Sequence, residues 1–252
     1  MAERDAIVEF CSELLDTGSF QDVALNGLQI EGNEEIRSVT LAVSANQYSI
    51  QAALEHGCDA LLVHHGLVLN GQVGDICGPV RHRLKALLAN DINLIGYHLP
   101  LDGHPELGNN ARLIQELGLT LSAPLDIFGP PAIGFIASSS RPLSMEEITQ
   151  RVSRIAGHSP IMLEGGPEPI ERIAVLSGSG YPALEEAARR SCQVLITGDA
   201  REPTMALARE LGVSVLVAGH EATERLGVQA LGSRISERFG VESSYVYDPN
   251  PL

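Results

Sequence analysis

The sequence predicts an α/β fold made of two related βαβαβ-type lobes, and three observations carry that prediction. Apolar, β-rich runs alternate with amphipathic stretches of helical period along most of the chain, as expected for parallel strands joined by crossover helices. The second half repeats the first. With residue 41 set over residue 175, a gapless offset of 134, SVTLAVSAN lies on RIAVLSGSG and CDALLVHH on CQVLITGD, so that Cys58 falls on Cys192. Such self-similarity is the signature of a duplicated unit. Between the copies, from about 120 to 170, PLDIFGPPAIG and EGGPEPIE are turn-rich punctuation. The expected division is a first lobe, 1–125, with VHHG and YHLPLD, and a second, 126–252, with TGD and GHEATE.

The elements follow in order. ERDAIVEFCSELL is an amphipathic helix and SVTLAVS a strand. QYSIQAALEHG is a helix stopped by Gly57, and DALLVH is the next strand. VRHRLKALLAN and LGNNARLIQELG read as helices, INLIGYH and AIGFIASS as strands. SMEEITQRVSRIAG opens with a Ser144–Glu147 capping box and closes at Gly157. The second lobe repeats the alternation: RIAVLSG, YPALEEAARRS, CQVLITG, PTMALARELG, VSVLVAGH and a long final helix, ATERLGVQALGSRISERFG.

Composition narrows the function. The 252 residues suffice for a large core, and 44% hydrophobic with 19% charged residues is ordinary for a globular protein. A net charge of −15 argues against strong nucleic-acid binding, which needs a basic surface. With no Trp and 4% aromatics, a base-stacking platform lacks material. An acidic protein handles a phosphorylated substrate when bound cations supply the positive charge. No apolar run approaches the ~20 residues of a membrane span, and MAERDAIVEFCSELL lacks the basic and apolar blocks of a signal peptide. Cys11, Cys58, Cys77 and Cys192 have no CxxC spacing and read as reduced thiols. The expectation is a cytoplasmic protein without a membrane partner.

The chemistry gathers at strand ends. Ligands of parallel α/β sheets bind beyond the carboxyl ends of the strands, and His64, His65, His98 and His220 all lie at such ends. Asp102 follows His98, and Glu224 follows His220, each by four residues, one helical turn on the same face. Side chains alternate along a strand, so adjacent His64 and His65 would ordinarily diverge. At the last residues of a strand, with Gly66 permitting a turn, both can reach one cavity. Paired ions about 3.5–4 Å apart, each served by an imidazole and bridged by a carboxylate, are a common hydrolytic arrangement. Neutral imidazole with carboxylate favours Zn, Mn, Fe or Co over Ca or Mg. A structural reading of His64, His65, Asp102, His220 and Glu224 must explain five polar groups at matching strand ends. A lone buried histidine is more often hydrogen-bonded in the core than a metal ligand, and His98 reads so. Asp199, on the copied position of His65, is either catalytic, a residue that orients a ligand, or the cap of the next helix. His56, His82, His104 and His158, with Glu146, Glu147, Glu202 and Glu221, read as surface groups. There is no GxSxG, P-loop or GxGxxG sequence; SGSGYP, between a strand and a helix, could cradle a phosphate on backbone N–H groups.

NGLQIEG (26–32), VHHG (63–66), YHLPLD (97–102), LGNN (107–110), TGD (197–199) and GHEATE (219–224) together resemble the Nif-three-like family, whose dinuclear-metal-centre members are often labelled GTP cyclohydrolase 1 type 2 homologues. The motifs run in family order over nearly the whole chain. The resemblance implies a ring-shaped homohexamer with a two-metal site facing the ring interior, in a compact form without an inserted domain. It implies two divalent transition-metal ions per chain (Zn, Fe or Mn), with His64, His65, Asp102, His220 and Glu224 as ligands and Glu224 as the bridge. His98 and Asp199 are then catalytic residues or residues that orient ligands, His98 also an alternate ligand. The family label implies a hydrolase that opens the guanine ring of GTP or acts on a similar nucleotide. The competing expectation is a non-enzymatic, hexameric metal-binding or scaffold protein; the substrate-binding residues stay unassigned.

Overall fold

A computed structural model describes residues 1–127 and 129–250; residue 128, inside the turn-rich segment, and residues 251–252 lie outside the described part. In chain order, β1 (Ala2–Glu3) leads into α1 (Arg4–Leu14), followed by β2 (Gly27–Ile30), β3 (Glu35–Ile36) and β4 (Ser38–Ser44). Then come α2 (Gln47–His56), β5 (Ala60–His65), α3 (Gly78–Leu88), β6 (Asn93–Gly96) and α4 (Leu99–Gly103). The chain continues through α5 (Asn109–Glu116), β7 (Thr120–Leu125), β8 (Gly134–Leu143), α6 (Met145–Ala156) and β9 (Ile161–Leu163). It ends with β10 (Ile170–Leu176), α7 (Leu184–Arg189), β11 (Val194–Thr197), α8 (Thr204–Leu211), β12 (Ser214–Val217), α9 (His220–Phe239) and β13 (Glu242–Tyr245).

Contacts group the chain into two compact units: residues 1–101 with 227–249, and residues 102–226. The sequence repeat marks where the pattern restarts; compactness divides the chain elsewhere, because the last helix and strand return to the first unit.

In the first unit the strand order is β13-β4-β5-β6-β2, with β4, β5 and β6 parallel and β2 antiparallel on β6. Alternation along β4 and β5 decides which layer each residue enters. Leu41, Ala60 and Leu62 pack with Ile7 and Cys11 of α1 and with Val228, Leu231 and Ile235 of α9. Ala42, Leu61 and Val63 pack on the opposite face with Ile50 and Ala53 of α2 and Leu84 and Leu87 of α3. Both faces of these strands are covered, which is why they read as continuous apolar runs. Gly232 lets α9 approach β4; a Cβ there would overlap the Leu41 side chain.

The second unit orders its strands β7-β8-β10-β11-β12-β9. β10, β11 and β12 are parallel, while β8 and β9 flank them antiparallel. Ile173, Val175, Val194, Ile196 and Leu216 of this sheet pack against Ile114 of α5 and Ile148 and Val152 of α6. The α6 capping box forms as the sequence predicts: Ser144 Oγ accepts from the Glu147 N–H, and the Ser144 N–H donates to the Glu147 carboxylate. The parallel βαβαβ cores thus match the expected pattern, but both sheets are mixed. The antiparallel edge strands β2, β7 and β9 are short or carry Gly or Pro, and so have weak strand signals.

One buried polar residue ties the loops of the first unit to its sheet. Asn93, at the start of β6, accepts from the Gly32 N–H at 2.8 Å and donates to the carbonyls of Asn33 at 2.8 Å and Asp59 at 3.0 Å. Asn93→Ala leaves these groups without the side chain that satisfies them, and should lower unfolding stability by roughly 2–4 kcal/mol. Urea unfolding should show the midpoint falling with an unchanged slope.

Candidate metal centre

The first unit delivers three imidazoles to one place. β5 ends in His64 and His65, and β6 leads through Tyr97 into His98. The adjacent rings, which strand alternation would separate, lie with centroids 4.5 Å apart and planes 50° to one another. His98 stands 5.0 Å from the His64 ring and 5.6 Å from that of His65. One nitrogen from each of the three lies within 4.8 Å of the others. Gly66 follows with φ outside the left-handed region, so conformational freedom is not its role. A Cβ there would overlap the Gln29 side-chain amide, whose oxygen accepts from the Leu67 and Val68 N–H groups at 2.7 and 3.1 Å. The glycine of VHHG makes room for the glutamine of NGLQIEG.

Each of these rings is held through Nδ1. His64, 1% exposed, donates Nδ1–H to the Tyr97 carbonyl at 2.9 Å. His65 pairs Nδ1 with the Ser44 hydroxyl at 3.1 Å. His98 places Nδ1 2.9 Å from Asp22 Oδ1. Nδ1 is thus engaged in each ring, and where the partner can only accept, as the Tyr97 carbonyl does for His64, it fixes tautomer as well as orientation.

In the second unit, α9 begins at His220, whose Nδ1 lies 2.8 Å from Asp199 Oδ2 and whose Nε2 lies 3.1 Å from Glu224 Oε2 one turn on. Asp199 also accepts from Ser179 Oγ at 2.7 Å, so it orients His220. Glu224 and Asp102 are buried, and each offers an oxygen within 4.8 Å of the other. Asp102 Oδ1 accepts from Asn109 Nδ2 at 2.9 Å and from Ser177 Oγ at 3.1 Å. Gly178, with φ +57°, brings its backbone against Glu224, and a Cβ there would overlap Glu224 Oε1.

The SGSG turn is not a phosphate cradle. The Ser177 N–H donates to Asn110 Oδ1, that of Gly178 to Thr223 Oγ1 and that of Gly180 to Thr197 Oγ1. These amides position the loop beside Asp102 and Glu224 and are not available to an anion.

From sequence alone the side chains of Asp22, Asn26, Ser44, Asn109, Ser177 and Ser179 carry no assigned role. Asn26 and Asn109 stand inside quoted motifs, and Ser177 and Ser179 inside SGSGYP, which was their signal. Asp22 had none beyond lying four residues before Asn26. Of the histidines read as surface groups, His104 accepts at Nδ1 from the Glu106 and Leu107 N–H groups and braces a turn.

Electrostatics favour a cation here. Burial opposes a charge on His220, but the hydrogen bond and charge of Glu224, then those of Asp199, outweigh it and raise its pKa to about 9. Burial likewise opposes ionisation of Asp22, and the hydrogen bond and charge of His98, with the Ala24 N–H and Asn26, reverse it, leaving the carboxyl well below its usual range.

The family model described as Duf34/NIF3 (NGG1p interacting factor 3) matches residues 2–251. A curated protein of Pseudomonas aeruginosa, named GTP cyclohydrolase 1 type 2 homolog, is 39% identical over 97% of this chain and 97% of its own. Among solved structures, the protein ybgI superposes with a TM-score of 0.94 at 36% identity, covering all of both chains. TTHA1606 of Thermus thermophilus does so with a TM-score of 0.91 at 34% identity, again over all of both. Among the described residues, no helix is long and apolar enough to cross a membrane.

A metal ion bound at His220 Nε2 would compete there with a proton, and two opposite pH dependences would follow. The raised pKa means that the metal-free protein draws stability from charged His220 below its unfolded value of about 6.5, and loses it as pH rises through about 9. Metal binding should instead strengthen as pH rises from 7 to 9, by up to about tenfold per unit, and level off above. Metal-free thermal melts and calorimetric Zn(II) titrations in buffers of different ionisation enthalpy should show falling stability, rising affinity and proton release on binding.

Proposed function

The chain belongs to the Duf34/NIF3 family, and from that premise we propose that it binds two divalent transition-metal ions and is a metal-dependent hydrolase of a nucleotide-like substrate. The ligands in this proposal are His64, His65, Asp102, His220 and Glu224, with Glu224 as the bridge. One observation carries it: four imidazoles are each engaged at Nδ1 by an oxygen partner, so that Nε2 is the nitrogen for coordination. Two buried carboxylates complete the donor set. Core histidines that merely satisfy themselves have no reason to share that arrangement. The mixture of imidazole and carboxylate suits Zn, Fe or Mn.

Two such ions, when bound, supply Lewis acidity and lower the pKa of water toward neutrality. The chain's own residues do the rest. Asn109 and Ser177 direct the Asp102 carboxylate, and Asp199, itself directed by Ser179, holds the His220 ring. Asp22 holds the His98 ring beside those of His64 and His65. GTP is the first substrate to try, because the curated relative carries a GTP cyclohydrolase 1 type 2 homolog name. The proposal includes a homohexamer, supported by the family resemblance and checked by a solution mass near six times the 26.9 kDa chain.

The test is metal content per chain by inductively coupled plasma mass spectrometry on untagged protein, beside a His64→Ala/His220→Ala variant. About two transition-metal ions per chain, lost in the variant, should be found. The loaded protein should then turn over GTP or another nucleotide, cyclic amide or phosphoester in a broad screen, and the variant should not. Metal without any turnover would leave a metal-binding protein and remove the hydrolase.

A further inference from the structure

The least expected residue near the centre is Asp22. It lies in the coil between α1 and β2, outside every motif, yet its side chain is only 2% exposed. Its carboxylate accepts four hydrogen bonds. Oδ1 takes the Ala24 N–H at 3.0 Å and His98 Nδ1 at 2.9 Å; Oδ2 takes Asn26 Nδ2 at 3.0 Å and the Leu99 N–H at 2.9 Å. Asn26 Oδ1 in turn accepts the His98 N–H at 2.7 Å. Asp22 and Asn26 therefore grip His98 by backbone and ring together.

We propose that Asp22 is a positioning residue of the metal centre: it fixes the His98 imidazole with Nδ1 as donor, so that Nε2 joins the His64 and His65 nitrogens as a third imidazole donor to an ion. This rests on the metal-centre reading above and adds His98 to its five ligands. A carboxylate already accepting three other N–H groups has no proton to give the ring, so Nδ1 carries the hydrogen. The geometry then leaves Nε2 for the ion, with a nitrogen of each ring inside the 4.8 Å group. The same carboxylate takes the first N–H of α4, so one buried charge sets both the ring and the start of the helix that carries Asp102. Carboxylate–imidazole–metal triads of this kind are a recurrent way to orient a ligand, and loss of the outer partner typically costs about 10–100-fold in metal affinity.

The test uses the full chain, metal-free, as wild type, Asp22→Asn, His98→Ala, the double variant and His64→Ala. Long-range ¹⁵N NMR of the imidazoles should show His98 as the Nδ1–H tautomer, with Nε2 shifting strongly on addition of Zn(II) alone. In Asp22→Asn the tautomer should become mixed. Zn(II) affinity, read against a competing chelator, should fall about 10–100-fold in Asp22→Asn and in His98→Ala, with no further loss in the double variant. An Nε2–H tautomer in wild type, or an Nε2 resonance that Zn(II) leaves unmoved, would overturn the proposal. So would wild-type affinity in both single variants while His64→Ala has lost binding, an outcome that leaves the five-ligand centre standing. Wild-type affinity in His64→Ala as well would remove the centre itself. Should Asp22→Asn fail to fold, His98→Ala, which leaves the other three donors to Asp22 in place, and the wild-type spectrum decide.

Discussion

A hydrogen bond at Nδ1 is the interaction on which the centre depends. An imidazole has two nitrogens and, free to rotate about two bonds, can offer either. Fixing one with an acceptor settles tautomer, ring plane and direction at once. Here the partners come from the frame of the fold: the Tyr97 carbonyl just past β6, Ser44 at the end of β4, Asp22 in the coil before β2, and Asp199 just past β11. None can move without disturbing a strand end or its neighbouring turn. The orientation of each imidazole is thereby tied to the sheet of its own unit.

The same logic runs through the carboxylates. Asp102 is directed by Asn109 and Ser177, and Asn110 beside it fixes the Ser177 backbone and reaches the Ile133 carbonyl. Glu224 has the Gly178 backbone against it, held there by Thr223 and Thr197. Small and amide residues crowd these motifs because their hydrogen-bonding groups, or their lack of a side chain, are what the carboxylates require.

Much of this was legible in the sequence, for identifiable reasons. β4 and β5 bury both faces, so their apolar runs stand out, and the Gly57 and Gly157 stops mark helix ends that adopt left-handed φ. Strand-end placement pointed to His64, His65, His98 and His220 without any contact being known. The edges were not legible: β7 contains Pro124, β9 has three residues and β2 opens on a glycine. Their pairing comes from neighbours far along the chain. SGSG misled because turn composition does not say which way its amides point. Asp22 was invisible because a buried carboxylate in a coil reads like a surface one until its donors, 76 and 77 residues away or close by, are in place.

The return of residues 227–249 to the first unit has a consequence for synthesis. Val228, Leu231 and Ile235 complete the core around Leu41 and Leu62, and β13 pairs with β4 as its parallel neighbour. The amino-terminal unit therefore cannot mature on the ribosome while the rest is being made. Until residue 245 emerges, β4 has an open edge and one face of its sheet lacks a layer, a state prone to wrong pairing. The second unit has all its strands and its core between 102 and 226 and is under no such delay. The order of completion runs against the order of translation, and β13, made after every strand of the second unit, closes the sheet that β2 begins.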